Sequence, residues 1–118
     1  EGVFDGQGMV GADGVRYSVP ENYASKSKLV EGDMLKLMVK PDGSYVFKQI
    51  GPVERRRLVG RLGMDSSTQE PIVQVDEDVY KVLAASVSYF KGIPGDEVAI
   101  LVPGGGRSVW AALERLNN

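Results

Sequence analysis

Apolar and polar positions alternate along most of this chain, the pattern of strands whose successive side chains point to opposite faces. In the stretch 34–40, Leu35, Leu37 and Val39 fall on one side while Lys36, Met38 and Lys40 fall on the other. Pro41-Asp42-Gly43-Ser44 predicts a turn, and 45–50 the return strand. Upstream, 3–10 reads as one strand weakened by glycines. Gly11-Ala12-Asp13-Gly14 reads as a hairpin turn, and 15–19 as a strand stopped by Pro20. Further strands are predicted over 71–75, 79–83 and 97–102, with turns at Asp76-Glu77-Asp78 and 103–106. Two stretches leave the alternation and predict short helices: 21–29, opened by Pro20, and 84–92, more apolar through Val87, Tyr89 and Phe90. The segment 54–64 is basic and β-leaning, with Leu58, Val59 and Leu62. Trp110-Ala111-Ala112-Leu113 suits strand or helix by propensity.

The pattern occurs twice. Gly32-Asp33 and Gly95-Asp96 each follow a helix-length stretch and precede an alternating strand. With these aligned and no gap, Tyr17 falls on Tyr80, Val19 on Val82, Lys28 on Lys91, Val39 on Val102, and Phe47 on Trp110. Further upstream, Met9 falls on Ile72, Val10 on Val73 and Asp13 on Asp76. Such self-similarity governs the fold. It resolves the 110–113 stretch toward strand. Glycine permits positive φ as the chain leaves a helix, and aspartate can hold nearby amides, so Gly32, Asp33, Gly95 and Asp96 are expected to be structural turns. The copies span roughly 8–50 and 71–113, with 54–64 as an extra β segment between them. No low-complexity linker separates them, and one copy alone has too few strands to bury an apolar face, so a single domain over 1–118 with one shared core is expected.

Composition narrows the chemistry. The chain has no cysteine and no histidine, which removes disulfides, thiolate metal sites and the commonest general base. No apolar run has the length of a membrane span, and no signal peptide is visible, so a cytoplasmic protein without a membrane partner is expected. The net charge of −2 speaks against a general nucleic-acid binder, but the charge is unevenly placed. Basic residues dominate from Arg16 to Arg61 and acidic residues dominate after Leu62. Such asymmetry marks either a polyanion-facing side or two halves that attract each other.

The strongest partner-binding candidates are Arg55, Arg57 and Arg61 with Lys26, Lys28 and Lys48. Arginines can hold phosphates or carboxylates bidentately. Alternation on a strand puts Arg55 and Arg57 on one face and Arg56 on the other. The competing reading is protection of an edge strand by charge. Tyr17, Tyr45 and Phe47 could stack on bases, although Phe47 is the better core candidate. Gly6-Gln7-Gly8-Met9-Val10-Gly11 spells a dinucleotide fingerprint, but a hairpin rather than a helix follows, so no cofactor is expected. Asp76-Glu77-Asp78 lacks calcium-loop spacing and reads as a solvated turn, so no metal is expected. No catalytic residues stand out.

The strand ending in Val19-Pro20, the short helix, Leu29-Val30-Glu31-Gly32-Asp33, the alternating Leu35/Leu37/Val39 strand and the Asp42-Gly43 hairpin together resemble the swapped-hairpin domain of AbrB-type regulators. Two copies in one chain resemble the single-chain MraZ regulators. Among the cradle-loop barrels this resemblance implies a mainly β, pseudo-two-fold barrel of two strand–helix–strand–strand copies with two short helices. It also implies a non-enzymatic, transcription-associated module that binds DNA or RNA, as monomer or homodimer. The region 20–28 is less basic than in AbrB-type binders. Phe90-Lys91-Gly92-Ile93-Pro94-Gly95-Asp96-Glu97-Val98, with Val102-Pro103-Gly104-Gly105, resembles the C-terminal domain of GreA factors. That likeness implies a protein-interaction module docking on RNA polymerase or the ribosome.

Overall fold

The computed structural model describes residues 1–117. The first half runs β1 (Gly2–Phe4), β2 (Gly8–Gly11), β3 (Arg16–Ser18), α1 (Glu21–Lys26), β4 (Met34–Val39) and β5 (Tyr45–Gly51). The second runs β6 (Arg55–Met64), β7 (Pro71–Val75), β8 (Asp78–Lys81), α2 (Ala84–Phe90), β9 (Glu97–Pro103) and β10 (Ala112–Leu116). The molecule is mainly β with two short helices, as the alternation predicts. The stretch 3–10 is two strands rather than one. Asp5 folds it back, its Oδ1 accepting the Gln7 and Gly8 amides at 3.0 and 2.8 Å.

Strands pair within each half. One five-stranded sheet has the order β3-β2-β1-β4-β5, the other β10-β9-β6-β7-β8. Read from opposite ends the orders agree, with β6 standing where β1 stands. The segment 54–64, expected to lie between the copies, is therefore the central strand of the second sheet. Its sequence hides the match except at one glycine. Gly2 pairs with Leu35, and Gly60 with Val98, the counterpart of Leu35. A Cβ on Gly2 would lie 2.4 Å from the Val10 carbonyl oxygen, and one on Gly60 would lie 2.4 Å from that of Gln74. Both central strands need glycine where the next strand crosses closely.

Pairing also corrects the register of β2. Met9 pairs with Phe4 and Tyr17, while Val73 pairs with Leu62 and Tyr80. Val73 thus corresponds to Met9, not Val10. Met9 and Val73 are buried, whereas Val10 is 37% exposed. The cause is a longer β2–β3 turn: Gly11 bonds Val15 across it, but Val75 pairs with Asp78 across the β7–β8 turn. One added residue moves every upstream side chain to the other face.

The buried residues form two clusters rather than one shared core. Phe4, Met9, Val19, Ala24, Leu29, Leu35 and Phe47 pack in the first half. Leu62, Val73, Tyr80, Val82, Val98, Ile100, Val102, Ala111 and Leu113 pack in the second. No sheet among the described residues contains strands of both halves, so the pairing does not draw the single barrel expected from the repeat. The second sheet curls into a half-barrel. Lys81 donates to the Val109 carbonyl and accepts from the Ala111 amide, both at 2.9 Å, which brings its two edges together beside Trp110. In the first half, Tyr17 and Tyr45 instead meet edge to face across the corresponding gap, with ring centroids 5.9 Å apart.

Specific contacts join the halves. The Glu31 carboxylate accepts the Val109 and Trp110 amides at 3.1 and 2.8 Å. Leu83 packs on the first cluster. Gly6 lies against the Trp110 ring so closely that a Cβ would come within 2.2 Å of it. The glycine-rich stretch 6–11 therefore serves strand crossing and contact between halves.

Candidate functional site

Both Gly-Asp corners have the same backbone. Gly32 and Gly95 take φ of 96° and 97°. The Asp33 carboxylate accepts the Val30 amide, and that of Asp96 accepts the Ile93 amide, each at 2.9 Å. Gly32 donates to Phe4 and Gly95 to Leu62, both at 2.8 Å; Phe4 and Leu62 donate back to the Asp33 and Asp96 carbonyls. The expected structural role of these four residues thus has a concrete form. Each aspartate pins the loop after its helix, and each glycine locks that loop to a central strand.

Asp33 carries more than this shared role. It is fully buried, and it accepts Gln49 Nε2 and the Val53 amide at 2.9 Å each. Arg55, from β6, meets it with Nη1 at 3.0 Å and Nη2 at 2.5 Å. The same guanidinium donates to the Val53 and Lys28 carbonyls. A buried charge requires such compensation. Arg55 is therefore a staple between halves rather than a free surface group.

The other basic candidates divide by engagement. Arg57 and Glu114 form a bidentate pair at 2.5 and 2.8 Å, which holds the Glu114 carboxyl below its ordinary range. Arg61 donates to the Gly95 carbonyl at 3.0 Å. Arg16 pairs with Asp5. That hydrogen bond, helped by the Gln7 and Gly8 amides and opposed by burial, brings the Asp5 carboxyl down to about 2. The ion pairs among the described residues are these two and Asp33–Arg55, and every cation in them is an arginine.

No lysine takes part in an ion pair among the described residues. Lys48 lies on β5 directly opposite Lys36 on β4, both exposed on the outer face. Lys40 follows on the same side of β4. Lys36 is not among the candidates that charge alone suggests; a three-residue turn over 41–43, centred on Asp42, is what places it across from Lys48. Lys26 and Lys28 stand at the end of α1. With Ser25, Ser86, Tyr89 and Phe90 they line a cleft of about 80 Å³ between the helices. Tyr89 is 70% exposed, although the sequence shows it only as part of an apolar helix. Phe47, by contrast, is a core residue, as expected.

Asp76 and Glu77 form the β7–β8 turn and Asp78 opens β8. Among the described residues no group of three carboxylates converges as a metal cradle. No described helix is long and apolar enough to cross a membrane. No family model, no curated protein and no solved structure matches this chain.

Proposed function

We propose that the protein is a cytoplasmic, non-enzymatic, transcription-associated binding module that contacts nucleic acid through the lysines of its first half. The observation that carries this reading is the Lys36–Lys48 pair. Like charges directly opposite on adjacent strands destabilise a sheet, and among the described residues no carboxylate forms an ion pair with either. A polyanion across this face would offset the repulsion, with Lys40 extending the row and Lys26 and Lys28 adding a second cationic site. The engaged arginines, Arg55 and Arg57, serve the fold in this reading. The AbrB- and MraZ-like repeat supports it by resemblance, each half being taken as one strand–helix–corner–strand unit of a cradle-loop barrel.

The test is fluorescence anisotropy with labelled duplex and single-stranded probes over a salt series. Affinity should fall steeply with salt, and Lys36→Gln/Lys48→Gln should weaken binding and flatten the salt slope by about two. Absence of binding to any probe at low salt would refute the reading.

A second reading, protein docking on RNA polymerase or the ribosome, is favoured by one feature. Val3, Val10, Met38 and Ile50 are 42%, 37%, 41% and 42% exposed on the first half. Apolar exposure of this kind suits a protein interface. Salt-insensitive capture of a stoichiometric protein, abolished by Val3→Ser/Val10→Ser, would favour it.

A further inference from the structure

Each helix is followed by a lysine in the left-handed conformation: Lys28 at φ 50°, one residue past the Ser27 cap of α1, and Lys91 at φ 56°, the cap of α2. Glycine fills such positions with less strain, and a non-glycine residue there is uncommon. Keeping lysine twice at equivalent places costs conformational energy that glycine would avoid. Strain of this kind concentrates where a side chain is needed for something besides folding. A cation at a helix C-terminus also complements the helix dipole, but helices of this length gain little from that.

The surroundings of Lys28 indicate what it faces. Lys26 and Lys28 line one cleft with Ser25 and Ser86, and no carboxylate lines it. Lys28 adds a weak electrostatic pull on the Glu114 carboxylate, which Arg57 already binds. At the cleft's rim Tyr89 is exposed, and Phe90 meets it at 89° with centroids 5.0 Å apart. That edge-on contact fixes the tyrosine ring and leaves a face toward solvent. Two cations beside a held aromatic face match a phosphate and an unstacked base. Lysines suit phosphates as point charges on flexible stems. A duplex keeps its bases stacked inside and offers nothing to Tyr89.

We infer that the α1–α2 cleft binds single-stranded nucleic acid, with a phosphate between Lys26 and Lys28 and a base over Tyr89. This rests on the nucleic-acid reading above and assigns it a separate surface from the Lys36–Lys48 face.

The test uses labelled octamers of dT and of rU, with a duplex of equal length as control. The wild-type chain should bind both single strands more tightly than the duplex. Tyr89→Ala should weaken single-strand binding about ten-fold, and Tyr89→Phe should retain it, because only the ring face is used. Lys28→Gly should lower affinity and the salt slope while leaving thermal stability unchanged or raised, since glycine relieves the left-handed strain. That separation of binding from stability is one a purely structural lysine would not produce. Preference for dT or rU identifies which strand the cleft takes. Undiminished single-strand binding in Tyr89→Ala and Lys28→Gly would overturn the cleft while leaving nucleic-acid binding intact. Binding to none of the probes would overturn both.

Discussion

At the first corner Asp33 is fully buried and gathers Val30, Gln49, Val53 and Arg55 around one carboxylate. At the second, Asp96 is partly open to solvent and holds the Ile93 amide from the same backbone position. The turns are interchangeable in φ and in their bonds to the central strands. What differs is burial: Asp33 is sealed from solvent with Arg55 against it, and Asp96 is not sealed. A duplicated turn has kept its local role in both copies, while one copy has also become the joint between halves. Stability should follow that division, although the two motifs have identical spelling.

The largest expected difference comes from truncating the aspartates. Asp33→Ala strands a part-buried guanidinium and the amides held by a fully buried carboxylate, and should cost about 3–5 kcal/mol in urea denaturation. Asp96→Ala removes a carboxylate still partly open to solvent and should cost less, about 1 kcal/mol. Equal losses would erase the distinction. The glycines of the central strands should be less costly, and alike. Gly2→Ala and Gly60→Ala each drive a Cβ against a neighbouring carbonyl and should lose about 1–3 kcal/mol. A neutral Gly60→Ala would contradict the correspondence of β6 with β1.

Much of the architecture was legible in residue patterns. The strand–helix–corner–strand order follows from alternation, proline and the Gly-Asp repeat, all of which act locally. The β6 correspondence was not legible, because Arg55–Met64 shares little with Gly2–Phe4 beyond a glycine required by strand crossing. The register of β2 was misread because an ungapped match cannot register one extra turn residue. At the candidate site, Lys26, Lys28 and Lys48 were identifiable from charge alone. The engagement of Arg55 by a buried carboxylate was not, since its partner Asp33 lies far away in sequence and is joined to it only by the fold. Tyr89 escaped notice because helical spacing does not tell which face the second half leaves bare.

The smallest predicted effect lies at the surface of the first half. The Asp5 carboxyl is held at about 2 in the folded protein. It titrates near about 4 in an unfolded chain. Its contribution is therefore complete above that unfolded value and is lost as pH falls toward 2. Asp5→Asn should make the stability–pH curve shallower in this window and displace it downward by a constant amount near neutrality, where the slope is unchanged. An unaltered acid slope would show that the Arg16 pair contributes nothing measurable, as many exposed pairs do.

The division of labour between the corners is tested most directly by a double-mutant cycle on Asp33 and Arg55, measured by urea denaturation of the single and double Ala variants. A coupling energy of about 2 kcal/mol or more is expected, because the two groups are buried against each other and each loses its main partner when the other is removed. A coupling near zero would contradict the account, for Arg55 would then add nothing to the first corner beyond the turn it shares with the second.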